Sequence, residues 1–141
     1  MSNVDSGTAR RPRVKVGIDL VQVSRVAESI KSFGDAYLHR IFTDAEIAYA
    51  TAAPALTAER LAARFAAKEA AIKALGLGEQ GVNLRLIEVR RAPSGELDLV
   101  LHGVASDAAL ALGATDVAVS LSHEGDYATA VVVAHIGGDQ A

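Results

Sequence analysis

The sequence predicts an α+β fold in which a mainly antiparallel sheet packs with one long helix. Residues up to about 76 read as one strand followed by helices. Beyond that point come two strand pairs, each split by a short turn cluster, with one helix between them. A third observation is an unbroken helical period over 57–75, bounded by Thr57 and stopped by Gly76. The length of 141 residues suits one domain, expected over 13–141 after a disordered extension over 1–12, which is polar and aperiodic.

The elements follow in order. Val14, Val16, Ile18 and Leu20 alternate with Lys15, Gly17 and Asp19, the pattern of a half-buried strand. Ser24 is placed to cap a helix running to about Ser32 and ended by Gly34. Phe42-Thr43-Asp44-Ala45-Glu46-Ile47 then signals a helix start: Thr43 and Glu46 make a capping box, with Phe42 and Ile47 as a hydrophobic staple. Pro54 interrupts that helix, and Thr57 is the expected cap of the next. Strands are expected over Leu84–Arg91 and Leu97–His102, on either side of Pro93-Ser94-Gly95. A helix near Asp107–Leu112, capped by Ser106, precedes a hairpin of Val117–Ser122 and Ala128–Ile136 around Glu124-Gly125-Asp126.

Composition narrows the chemistry. With no cysteine, disulfides, thiolate metal sites and cysteine nucleophiles are excluded, and the expected setting is cytosolic. No apolar run approaches the roughly 18 residues of a membrane span, and the N-terminus lacks the apolar middle of a signal peptide. A chain this short has little room for a deep private cavity. The formal charge of −3 conceals an asymmetry: residues 1–75 carry eleven Lys/Arg against eight Asp/Glu, and residues 76–141 three against nine. A basic half on an acidic protein points to a local anion site. Aromatics at 4% are too few for base-stacking platforms, so no nucleic-acid partner is expected.

Three clusters can carry chemistry. Projected at about 100° per residue, Leu61, Phe65, Ile72 and Leu75 form one stripe with Lys68 in its middle and Arg64 at its edge. Glu69 and Lys73 stand beside it, one turn apart. A lysine in an apolar stripe needs water or a fixed anion. Two readings stay open here: a snorkelling Lys68 beside an ordinary Glu69–Lys73 pair, or cations meeting phosphates while Glu69 holds a metal. Asp19, near the end of an apolar strand, is the second cluster. With Glu69 it makes a minimal carboxylate set for Mg²⁺, which takes one or two carboxylates and leaves the rest of its shell to water and phosphate. The third is Ser120-Leu121-Ser122-His123 before a turn. It has no Gly-x-Ser-x-Gly elbow and no evident Asp to orient the histidine, which argues against a serine hydrolase. His39, His102 and His135 have no supporting context.

In this order the clusters resemble the holo-acyl-carrier-protein synthases, the short type of 4′-phosphopantetheinyl transferase. The residues that carry the resemblance are Val16-Gly17-Ile18-Asp19-Leu20-Val21, Phe42-Thr43-x-x-Glu46, the block Leu61 to Gly76 around Arg64-Phe65-Ala66-Ala67-Lys68-Glu69-Ala70, Ile87-Glu88-Val89 and Ser120 to His123. The resemblance implies the 4′-phosphopantetheinyl transferase-like fold and a Mg²⁺-dependent enzyme. Such an enzyme moves phosphopantetheine from coenzyme A to a serine of apo acyl carrier protein, releasing adenosine 3′,5′-bisphosphate. By position, Asp19 and Glu69 would hold Mg²⁺, Lys73 would lie near the pyrophosphate, and Arg64 and His123 would contact coenzyme A at its nucleotide end. Lys68, in the same block, is grouped with the coenzyme A contacts. Arg25, with Arg40 beside it, would meet the acidic carrier protein. A homotrimer with coenzyme A between neighbours is implied as well, and suits a chain too small for a private cleft. Leu84 and Leu86 stand where the family often has Trp and Asp, and Leu97 where a proline is usual. The alternative is an oligomeric module that binds coenzyme A or another nucleotide without chemistry.

Overall fold

The computed structural model describes residues 13–137, and the extension expected over 1–12 lies outside them. Strand β1 (Val14–Gln22) runs into helices α1 (Val23–Phe33), α2 (Asp35–Ile41), α3 (Asp44–Thr51) and the long α4 (Thr57–Leu75). The hairpin β2 (Ile87–Arg91) and β3 (Leu97–Leu101), helix α5 (Gly103–Leu112), and the hairpin β4 (Ala114–Glu124) and β5 (Tyr127–Ile136) complete the chain. β5 lies between β1 and β4 in an antiparallel three-stranded sheet, and β2–β3 form a separate antiparallel pair. The expected α+β architecture, both hairpins and the long helix ending at Gly76 are all present.

Helix α4 packs across β1 and β5, and its composition explains how closely. Every alanine from Ala62 to Ala74 is buried, so the helix backbone itself meets the sheet. On the strand side the matching residue is Gly17. A Cβ there would stand 2.0 Å from the Ala70 carbonyl oxygen and 2.8 Å from the Ala74 amide nitrogen. Only glycine admits this approach. It sets Asp19, two residues on and on the same strand face, beneath the helix.

The same contact reverses the expected facing of β1. A half-buried strand ordinarily turns its apolar side inward, yet Val14, Val16, Ile18 and Leu20 are 55%, 63%, 60% and 64% exposed. Gly17 is buried, and Lys15 and Asp19 are half-buried. The small and polar side of the strand faces α4 because only that side is thin enough for the helix to lie on.

Several helix starts also differ from expectation. Ser24 does not cap α1; its amide and hydroxyl both donate to the Asp126 carboxylate, at 3.0 and 2.6 Å. The turn between β4 and β5 therefore caps α1 from 102 residues away. Thr57 lies inside α4, and its hydroxyl donates to the Ala50 carbonyl at 2.9 Å. Helix α5 starts at Gly103, ahead of Ser106. Leu84–Leu86 forms a 3-10 turn held by the Asn83 side chain rather than strand. Helix α2, absent from the sequence reading, is a seven-residue segment wedged behind Gly34. The Thr43–Glu46 capping box is present as expected.

Two packed clusters follow. One joins α4 to both sheets and α5; the other gathers Phe42 with the first half of α4, α1 and α2. Leu86 and Leu97, two of the departures from the family pattern, pack against the first.

Candidate active site

Asp19 on β1 and the Glu69–Lys73 turn of α4 converge where strand and helix meet. The Lys73 ammonium donates to Asp19 Oδ1 at 3.2 Å and to the Ile18 carbonyl at 2.9 Å. The Asp19 side chain is 18% exposed and that of Lys73 is 55% exposed. β5 anchors the strand from the other side, the Thr129 hydroxyl donating to the Asp19 carbonyl at 2.8 Å. Burial raises the pKa of Glu69, and the neighbouring charge of Asp19 raises it further against the opposing pull of Lys73. Two carboxylates thus share one field, with one ammonium between solvent and strand.

Asp19 and Glu69 line an open cleft of about 580 Å³, together with Arg25 of α1, Phe65 of α4 and Gln22. Through Ser29, Tyr37 and Ile41 this cleft adjoins a second, of about 710 Å³, bordered by Arg40 and by Leu84, the third departure. Burial raises the pKa of the Tyr37 phenol in this wall. The two arginines expected to face a carrier protein therefore sit along one connected groove that begins at the carboxylates.

The donor chemistry fits a small hard cation. Among the described residues no three His, Cys, Asp or Glu side chains gather around a common point, so a cage made wholly of protein is absent there. Mg²⁺ needs no such cage: one or two carboxylates suffice when water and phosphate oxygens supply the rest. A cation held by these carboxylates would oppose the burial and the Asp19 charge that together raise the Glu69 pKa.

The remaining expected residues lie elsewhere. His123 is the penultimate residue of β4, and its Nε2 stands 3.3 Å from Glu59 Oε2. The register sets Leu121 against Ala130 and Ala130 against Asp19. His123, two residues past Leu121, therefore shares the sheet face of Asp19. Glu59 is a carboxylate neighbour of this histidine that sequence reading missed, because it is distant in the chain and sits in an otherwise ordinary helix turn. Val119 and Leu121 are half-buried while Ser120 and Ser122 are exposed, so no serine joins this histidine.

Lys68, grouped by the sequence with the coenzyme A contacts, is enclosed by protein in this structure. Its side chain is 0% exposed, and its ammonium donates to Glu46 Oε1 at 2.8 Å and to the carbonyls of Leu84 at 3.0 Å and Ile87 at 2.6 Å. An ammonium has three protons, and all three are taken. Glu46 in turn accepts from the amides of Thr43 and Val89. The pair pins α4 to α3 and β2, although burial lowers the pKa of the amine. Arg64 is also buried, 3% exposed, and stacks on Tyr49. It lies about 140° round the helix from Glu69, so the structure does not bring it to the carboxylates.

Comparison with known proteins identifies the family. The family model described as the 4′-phosphopantetheinyl transferase superfamily (ACPS) matches residues 15–132. The chain belongs to that superfamily. Among its relatives, the holo-[acyl-carrier-protein] synthase of Koribacter versatilis is 49% identical over 118 residues, covering 83% of this chain and 94% of that protein. The solved ACPS–CoA complex of Chronobacterium ammoniagenes superposes with a TM-score of 0.76 at 34% identity, over 89% of this chain and 99% of that one. The holo-[acyl-carrier-protein] synthase of Neisseria meningitidis superposes with a TM-score of 0.78 at 34% identity, over 86% and 97%. The 4′-phosphopantetheinyl transferase family match makes the chain an enzyme and excludes the non-catalytic module as its class.

Proposed function

We propose that this transferase moves the 4′-phosphopantetheine group from coenzyme A to a serine of an apo acyl carrier protein, with Mg²⁺, releasing adenosine 3′,5′-bisphosphate. The observation that carries the reading is the convergence of Asp19 and Glu69 at the head of one groove, with the Lys73 ammonium bonded to Asp19. Asp19 and Glu69 would hold the metal, which supplies charge neutralisation at the pyrophosphate oxygens when bound. Lys73, half exposed beside them, places a point charge where the leaving nucleotide gains negative charge. The serine oxygen forms its bond to the β-phosphorus as the bridging P–O bond breaks, and the nucleotide departs with that electron pair. Glu69 is assigned the proton of the incoming hydroxyl. His123, with Glu59 beside it, and Arg64 are assigned to the nucleotide end of coenzyme A.

Arg25 and Arg40 line the groove that leads away from this point, which suits an acidic carrier approaching along α1 and α2. That contact would weaken as salt rises.

The active assembly is proposed as a homotrimer in the cytosol, with clefts completed by neighbours. Its support is the outer face of the sheet, where the register aligns Val16 with Val133 and Ile18 with Val131. Val133 is 39% exposed beside the four open β1 residues. A continuous apolar patch of this kind marks a contact surface, and a second copy covers it. Among the described residues no helix is long and apolar enough to cross a membrane.

Incubating the protein with coenzyme A, Mg²⁺ and an apo carrier, then weighing the carrier, tests the reading. Gain of the phosphopantetheine mass is expected; an unchanged carrier mass with every carrier tried overturns it.

A further inference from the structure

Helix α1 follows β1 without a loop, so its direction depends on how its first turn is held. Its own sequence does little to hold it. Gln22, at the N-cap, makes no side-chain bond to the helix, and no acidic residue stands in the first turn. Val26 alone among the residues of α1 is buried. The first amides of a helix lack partners within it, and that end carries partial positive charge.

The missing cap comes from the turn between β4 and β5. The register pairs Glu124 with Tyr127, which leaves only Gly125 and Asp126 in the turn and fixes Asp126 closely. Asp126 accepts three bonds from the start of α1. The Val23 amide donates to its carbonyl at 2.7 Å, the Ser24 amide to Oδ1 at 3.0 Å and the Ser24 hydroxyl to Oδ2 at 2.6 Å. Both carboxylate oxygens are engaged, each on α1.

The residue after Ser24 is Arg25, which is exposed and lines the cleft with Asp19 and Glu69. Tyr127, next to Asp126, lines the same cleft, and the register sets it opposite Gln22. One tight turn thus borders the cleft and caps the helix that carries the arginine. Without that cap the first turn of α1 frays, and Arg25 loses its place beside the carboxylates.

We propose that Asp126 is a positioning residue for carrier recognition, holding the first turn of α1 so that Arg25 faces an acidic carrier at the mouth of the Asp19–Glu69 cleft. This role rests on the transfer reading and on Arg25 as its carrier contact. Charge alone predicts the opposite sign. Asp126 is acidic and exposed, so its removal would strengthen the pull on an acidic carrier if only the field mattered. Weaker carrier binding therefore reports geometry.

Steady-state transfer kinetics on the full chain, read from carrier mass with carrier and coenzyme A varied in turn, tests the role. The proteins are wild type, Asp126→Ala, Asp126→Asn, Ser24→Ala, Arg25→Ala and the Asp126→Ala/Arg25→Ala pair, compared per folded molecule. Asp126→Ala should raise the KM for carrier about fivefold or more, the scale of a lost helix cap, with kcat and the KM for coenzyme A unchanged. Asp126→Asn keeps an acceptor for the Ser24 amide and should recover most of the affinity. Ser24→Ala loses only the hydroxyl bond and should fall between wild type and Asp126→Ala. Arg25→Ala should raise the same KM, and adding Asp126→Ala to it should change little, because the two residues act in series. A wild-type KM for carrier in Asp126→Ala, a fall in kcat instead, or full additivity of the two substitutions overturns the proposal and leaves Asp126 a helix cap. Loss of the underlying reading looks different: the wild type leaves every carrier unmodified, or Arg25→Ala keeps the wild-type KM, and the proposal falls with it.

Discussion

Replacing Lys68 with methionine separates a structural lysine from a substrate-binding one. Methionine keeps the length and apolar stem of the side chain and removes only the ammonium. The carbonyls of Leu84 and Ile87 would lose their donor, and Glu46 would keep its two amide bonds with no cation beside it. Breaking one partner out of a buried ion pair costs about 3–5 kcal/mol, and the orphaned carbonyls place this case toward the upper end. At roughly 3–4 °C per kcal/mol for a chain of this size, the melting temperature should fall by about 10–20 °C. Urea unfolding of wild type, Lys68→Met, Glu46→Leu and the double variant gives the coupling energy, expected to be about 2 kcal/mol or more. The fraction still folded should keep its KM for coenzyme A. A Lys68→Met protein within about 1 kcal/mol of wild type, but with KM for coenzyme A raised tenfold or more, would refute the structural assignment.

Other expectations follow from the same contacts. Gly17→Ala places a Cβ 2.0 Å from the Ala70 carbonyl, so β1 and α4 must part; stability should fall by about 1–3 kcal/mol or more, and transfer rate per folded molecule by about a hundredfold as Asp19 moves from Glu69. Unchanged kinetics would show that the spacing is not needed. Ile18→Asp puts a charge in the middle of the exposed apolar face, and sedimentation should show trimers for wild type, as proposed, and monomers for the variant; a monomeric wild type contradicts the assembly. The Glu88 carboxylate has a lowered pKa: burial raises it, but bonds from His102 and Thr43 and the charge of Arg90 outweigh that. Its contribution to stability is therefore complete above the unfolded value of about 4.3 and is lost as pH falls through the lower folded value. His102→Ala moves the folded value back toward the unfolded one, so its melting temperature should lie below that of wild type near neutral pH and fall less on acidification. Parallel curves from about pH 3 to about pH 6 would contradict this.

What the sequence revealed was mostly local. The Thr43–Glu46 box, the Gly76 stop and the two hairpin turns need only neighbours within a few residues, and each stands where expected. Asp19, Glu69 and Lys73 were legible because a carboxylate at a strand end and a charged turn in an alanine helix are costly without a task. What stayed hidden depends on partners far along the chain. Asp126 caps α1 from the other end of the sequence, and nothing near Ser24 announces it. Lys68 looked solvent-seeking because its three acceptors lie far from it in the chain, one on Glu46 and two in the 84–87 stretch. The facing of β1 misled for a different reason: alternation shows which residues share a side, but Gly17 and the alanines of α4 decide which side the helix covers.

The most direct test of the Asp19–Glu69–Lys73 site is the intact mass of an apo carrier incubated with coenzyme A and Mg²⁺, comparing wild type with Glu69→Ala at matched melting temperatures. The carrier should gain the phosphopantetheine mass with wild type, while the variant should be slower by about two orders of magnitude or more. Transfer by Glu69→Ala at a rate near that of wild type would contradict the assignment.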